Sequence, residues 1–213
     1  MTVNNIVNMS IIKGLDIIAI TDHNSCGNIE AAIKVAGDNI LIIPGMEIET
    51  SEEIHVVSYF PDIESAKEAE KIVKANMPKI KNNPEIYGNQ YFMDENDEIT
   101  GEEENLLVTA TNLDIYSVFD LVKSVGGVAV PAHIDRSSYS VLSNLGFLPE
   151  DLNSPCVEIT PMKRNFLEKD YSKYTILSNS DAHYLENIME REFYIEIKEK
   201  NVKSALDFLC KRE

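Results

Sequence analysis

The sequence predicts an α/β fold built on a largely parallel sheet, either barrel or open, and three observations carry that prediction. Short runs rich in Ile and Val alternate with segments of helical period. Runs such as DIIAIT, ILIIP, GVAVPA and YTILS are apolar almost throughout, the pattern of strands covered on both faces. Gly or Pro marks many of the joints between them. At 213 residues and 44% hydrophobic composition the chain suits one domain, 1–213, and it shows no internal repeat or dividing linker.

Thr2 to Lys13 reads as a helix, with Thr2 as N-cap, Val3, Ile6, Val7, Ile11 and Ile12 near helical spacing, and Gly14 as its stop. Asp16 to Thr21 is a buried strand. A helix from Asn28 to Val35 closes at Gly37, and ILIIP is the next strand. Glu53 to Phe60 follows Glu47 after a short turn and reads as a further strand, and Ile63 to Ile80 as a charged amphipathic helix. The acidic stretch 82–104 has no usable period and reads as a loop or lid excursion from the scaffold. Within it DENDEITGEEE imitates a calcium loop, but Ile99 stands where such a loop needs glycine. Regular alternation then resumes. Leu113 to Val125 is helical, GVAVPA a strand, and Tyr139 to Asn144 a short helix stopped by Gly146. CVEIT, YTILS and REFYIEI read as strands, and Val202 to Arg212 as a terminal helix.

A formal net charge of −17 disfavours non-specific attraction to nucleic acid or anionic membrane. On that ground no long nucleic acid and no membrane are expected as partners, although a local basic pocket could still hold a small phosphorylated substrate. Cys26, Cys156 and Cys210 are odd in number and far apart, so neither a disulfide framework nor a cysteine metal knuckle is suggested. No signal peptide opens the sequence and no apolar run approaches the ~20 residues of a membrane span, so a cytoplasmic protein is expected.

Parallel α/β folds gather functional groups at the carboxyl ends of their strands. AITDHNS places His23 there, ILIIPGMEIE places Glu47, GVAVPAHIDR places His133, and YTILSNSDAHY places Asp181 and His183. His55 lies in or beside its strand. A lone histidine after a strand is commonly structural, but these are all 4 histidines of the chain, joined by two carboxylates. Imidazoles with carboxylates suit Zn²⁺, Mn²⁺ or Fe²⁺ better than Ca²⁺ or Mg²⁺, and so many ligands suggest more than one ion. Adjacent ions commonly act on phosphate esters. Arg136, Lys163 and Arg164 lie just beyond strand ends, where they are candidates to hold phosphate. Asn24 is a candidate to orient His23 or touch substrate, and with Ser25 it is equally a candidate helix cap.

TDHNS, PGMEI, IHVVSYF, PAHID and SNSDAH, in that order, resemble the later motifs of the PHP (polymerase and histidinol phosphatase) family of metal-dependent phosphoesterases. The resemblance runs along the whole chain. It implies a distorted (β/α)7-type barrel with up to three divalent metals at its carboxyl end. Glu47 would be the bridging carboxylate, His55 and His133 would complete one metal site, Asp181 would serve a second, and His23 with His183 a third. Glu47, Asp181 and His183 would be catalytic, in hydrolysis of a small phosphate monoester such as a nucleotide or histidinol phosphate by metal-activated water. The family's first motif, a strand ending in His-x-His, has no counterpart here. The expectation is that Met1 is an internal methionine and that the first strand lies upstream, leaving the chain as given inactive and its barrel edge open to dimerisation. The alternative is a catalytically silent PHP-like protein that binds metal or a phosphometabolite.

Overall fold

A computed structural model describes residues 1–167 and 169–210. Helix α1 (Val3–Ile12) begins where expected, its Thr2 hydroxyl accepting a hydrogen bond from the Asn5 amide. Strand β1 (Ile17–Ile20), helix α2 (Ile29–Ala36) and strand β2 (Leu41–Glu49) follow, then β3 (His55–Tyr59) and α3 (Ile63–Ala75), capped by Asp62. Helix α3 ends one turn earlier than its composition suggested. Asn76 caps it, and Pro78 two residues on cannot supply an amide to prolong it.

Next come α4 (Pro84–Tyr87), β4 (Tyr91–Met93), β5 (Ile99–Glu102), α5 (Ile115–Ser124), β6 (Val128–Pro131) and α6 (Val141–Leu145), which stops at left-handed Gly146. The remaining elements are β7 (Cys156–Glu158), α7 (Arg164–Leu167), β8 (Thr175–Leu177) and α8 (Val202–Leu209). The predicted end of the last helix at Arg212 lies outside the described residues.

The central sheet has the order β1-β2-β3-β6 and is mixed. β1 runs parallel to β2, but β3 is antiparallel to both β2 and β6, which corrects the largely parallel expectation. The reason is length. Residues 50–54 are all that separate β2 from β3, and a parallel crossover needs about a dozen residues or more, so the chain turns straight back. His55 therefore opens its strand instead of closing it, and its pairing with Glu49 leaves it at the functional end.

The parallel pair β7–β8 joins this sheet through the Ile134 amide, which donates to the Glu158 carbonyl at 2.8 Å. A cavity of about 460 Å³ is lined by β1 and by the residues that follow β8. REFYIEI forms no strand. Phe193 and Ile195 pack on the apolar cluster of Ile43, Val57 and Leu177, so the alternation there records one-sided burial without a pairing edge.

The stretch 82–104 contains a hairpin, β4–β5, whose turn is closed by the Asp94 carboxylate accepting from the Asn96 and Glu98 amides. Asn28 fastens Tyr91 and Met93, while Asp97 accepts from Thr2 and Asn4 at the start of α1, where a carboxylate suits the helix dipole. Polar pins of this kind leave no hydrophobic period to read. None of the residues lining the 460 Å³ cavity comes from this stretch.

Gly45 in β2 passes close to both neighbouring strands: an added Cβ would lie 2.7 Å from Thr21 Cγ2 and 3.0 Å from the Ile20 carbonyl oxygen. Gly45→Ala is therefore expected to cost about 1–3 kcal/mol through overpacking and to lower the melting temperature by several degrees. Calorimetry checks this, and an unchanged transition would show that the strands part without strain.

Candidate metal centre

Glu47 is the centre of the site. It is 5% exposed, on the β2 face turned toward the cavity. Its Oε1 lies 3.2 Å from His55 Nδ1 and 3.5 Å from His133 Nε2, while Oε2 lies 3.4 Å from His23 Nδ1. Each ring arrives from a different strand. His23 is drawn in because parallel pairing continues past β1: the Glu47 amide donates to the Asp22 carbonyl and the Asn24 amide to the Glu47 carbonyl. His55 is the first residue of β3, and His133 follows β6 in a left-handed conformation, φ 27°. Asp181, φ 46°, and His183 follow β8, with the His183 ring centroid 6.1 Å from that of His23. Left-handed backbone at residues with a Cβ is costly and persists only where the surroundings enforce it.

Two further carboxylates belong to this group. Glu49, two residues beyond Glu47 and hence on the same face of β2, brings Oε2 to 3.9 Å from His55 Nε2. Glu158, 4% exposed at the end of β7, accepts from the His133 amide at 3.3 Å and from Asn179 Nδ2 at 2.7 Å. The spacing in GMEIE and the acid closing CVE were the available signals, but neither stands beside a histidine in sequence.

Burial would raise the Glu47 carboxyl, but the His133 and His55 imidazoles that face it, with charge from His55 and His23, overcome it and hold the group well below the usual carboxylate range. Burial pulls His55 down, and the bond to Glu47 more than reverses this, so His55 titrates above its ordinary value. His23 goes the other way, lowered chiefly by burial. Burial likewise raises Glu158 and Glu49.

His133 is 1% exposed, yet neither of its ring nitrogens has a hydrogen-bond partner, and His23 Nδ1 has none either. Buried polar atoms without partners are rare and expensive. One ligand atom each from His23, Glu47 and His55 lie within 4.8 Å of one another. A divalent cation would satisfy these lone pairs, so the residues fit a metal of the kind that takes imidazole and carboxylate together.

The other expected site residues fall in different places. The Arg136 guanidinium pairs with Asp181, which lines the cavity, Nη1 to Oδ2 2.6 Å, with 41% of its side chain exposed. Lys163 is exposed and donates to the Asp135 carbonyl, and Arg164 sits over the Phe193 ring. Asn24 is fully buried. Its amide donates to the Leu107 and Thr109 carbonyls and its oxygen accepts from the Glu49 amide, so it braces β2 instead of facing the cavity.

The sequence matches no family model and no curated protein. The fold does find relatives. The lesion-specific Endonuclease Q of Pyrococcus furiosus superposes over 99% of this chain with a TM-score of 0.69 at 17% identity. A Bifidobacterium adolescentis protein, named for an inferred metal-dependent phosphoesterase activity, superposes over 98% with a TM-score of 0.58 at 15% identity. The chain has a PHP-type fold. It spans 51% of the length of Endonuclease Q and 90% of the Bifidobacterium protein. Endonuclease Q in complex with a 27-mer duplex substrate, an abasic lesion at its active site, matches this chain with a TM-score of 0.65 at 16% identity, over 97% of the chain and 51% of the enzyme.

That complex overturns the expectation of a small phosphorylated substrate and no long nucleic acid. Net charge sums over the whole surface, whereas a phosphate responds to the local field at the site. Arg136 stands beside Asp181 of the cavity lining despite the overall −17. As for membranes, no helix among the described residues is long and apolar enough to cross one.

Proposed function

We propose that this chain is a metal-dependent hydrolase of phosphodiester bonds in damaged DNA. The observation that carries the reading is the geometry of Glu47, whose two carboxylate oxygens face different imidazoles, His55 and His133 on one side and His23 on the other. This is the disposition a bridging carboxylate needs. In this reading Glu47, His55 and His133 hold one cation, Asp181 serves a second, and His23 with His183 a third, with Zn²⁺, Mn²⁺ or Fe²⁺ suited to the ligand set. In this reading the strands would belong to a distorted PHP-type barrel. The likeness to Endonuclease Q along nearly the whole chain supports DNA as the substrate class.

Bound cations supply Lewis-acid polarisation of the phosphate and activation of water. The chain's own residues do the rest. Glu47 stays anionic in a buried setting because two imidazoles face it. Glu158, itself held by Asn179, grips the His133 amide and so fixes the ring that follows β6. Arg136 is positioned by Asp181 to meet a phosphate oxygen, and Lys163, beyond β7, is tied to the Asp135 carbonyl beside it.

The test is metal content by elemental analysis together with cleavage of an abasic duplex, an intact duplex and an aryl phosphate in Mn²⁺. Metal-bearing protein that cuts the abasic duplex in preference, and stops in chelator, is the expected result. Protein that loads metal but cuts nothing would overturn hydrolysis by this chain and favour the silent binder. Protein that loads no metal would return the histidines to the scaffold.

A further inference from the structure

The loop between β6 and α6 carries three chemically distinct groups at three-residue spacing: His133, Arg136 and Tyr139. The first two face Glu47 and Asp181. The third has no part in the chemistry so far described. The Tyr139 ring lies parallel to His55, centroids 4.8 Å apart and planes 18° apart, while His133 meets His55 edge-on at 5.3 Å. Tyr139 thus covers one face of an imidazole of the candidate metal centre, and the residue remains 46% exposed.

The backbone goes to some length to put it there. Tyr139 is left-handed, φ 54°, an uncommon state for a bulky aromatic residue. Its carbonyl accepts the His55 amide at 3.0 Å, and the Ser140 hydroxyl donates to the Arg136 carbonyl at 2.8 Å while capping α6. A turn from the Arg136 amide to the His133 carbonyl closes the other end. The loop is therefore tied at both ends and holds an open aromatic face in fixed relation to His133 and Arg136. A side chain needed only to shield His55 would not require an exposed outer face on a strained backbone.

We propose that this loop reads a single nucleotide unit, with Tyr139 as the platform on which the base flanking the scissile phosphate stacks. The inference rests on the DNA-hydrolase reading and goes beyond it, since it assigns a specificity-determining residue that the metal centre does not need. Base–aromatic stacking tolerates any base, because each presents a π-face. It would therefore favour damaged DNA of any sequence whose flanking base is free to unstack.

The experiment uses an abasic duplex with 2-aminopurine beside the lesion, the full chain, and the variants Tyr139→Phe and Tyr139→Leu, each checked for metal content and melting temperature. Wild type and Tyr139→Phe should quench the fluorescent base on binding. Tyr139→Leu should lose the quenching and show a KM raised about tenfold or more, with kcat within about twofold. Equal quenching and KM in Tyr139→Leu would overturn the platform while leaving the hydrolase reading untouched. A fall in kcat with KM unchanged would also overturn it, reducing Tyr139 to a support for His55. If wild type neither binds nor cuts the abasic duplex, both readings fall together.

Discussion

Glu47→Gln is expected to remove most of the bound metal and to reduce hydrolysis by about a thousandfold or more, while the fold survives. The substitution keeps the size of the side chain and removes its charge. Three imidazoles crowd the carboxylate within 3.5 Å, and in the proposed centre they could serve as ligands only while an anion balances the cations. Losing several kcal/mol of transition-state charge stabilisation corresponds to roughly three powers of ten in rate. Elemental analysis and steady-state kinetics read the two effects separately. Glu49→Gln provides the contrast. Glu49 approaches only His55, and at 3.9 Å, so its removal should cost roughly tenfold, the scale of a residue that orients a ligand. Wild-type metal content in Glu47→Gln would refute the bridging role outright.

How much of this was legible in the sequence depended on whether each feature left a local trace. The apolar runs of β1, β2, β6 and β8, the cap Thr2 and the stop Gly146 were readable because burial and capping act within a few residues. The direction of β3 was encoded too, in the five residues before it, but reading it required weighing connection length against the rhythm of alternation. His55 shows the consequence. It reaches the common point from the amino end of a reversed strand, not from a carboxyl end as its companions do.

Glu158 and Tyr139 left no trace of their roles. Both act through contacts about 25 and 84 residues away along the chain, and nothing in CVEIT or DRSSYS records those distances. Asn24 shows the opposite case. Its place beside His23 suggested orienting that ring, touching substrate or capping a helix, whereas full burial commits its side chain to the backbone of other segments. Neighbourhood in sequence to a ligand is thus weaker ground than a side chain's own hydrogen-bond accounting.

Metal uptake should strengthen as pH rises through the range above about 6.5, because a cation must displace the proton that Glu47 helps His55 retain. The signs can be followed group by group. His55 is raised above its ordinary 6.5, so without metal its pairing contributes stability that is complete below 6.5 and fades as pH climbs through the raised value. Glu47 is depressed below its ordinary 4.5, so its contribution is complete above 4.5 and is lost only as pH falls toward the depressed value. His23, lowered by burial, opposes His55: the unfolded chain takes up its proton first as pH falls below 6.5, and stability falls with it. A cation binds only the neutral rings. With metal at a hundred times its dissociation constant the gain is about 2.7 kcal/mol, or roughly 5–10 °C in melting temperature for a domain of this size. Calorimetry at fixed total Mn²⁺ should therefore show a small shift near pH 6 that grows to the full shift by about pH 8, approaching a tenfold change in affinity per pH unit while His55 is protonated. A shift of the same size at both ends of that range would mean that the metal leaves the His55 proton in place, and His55 would then not be a ligand.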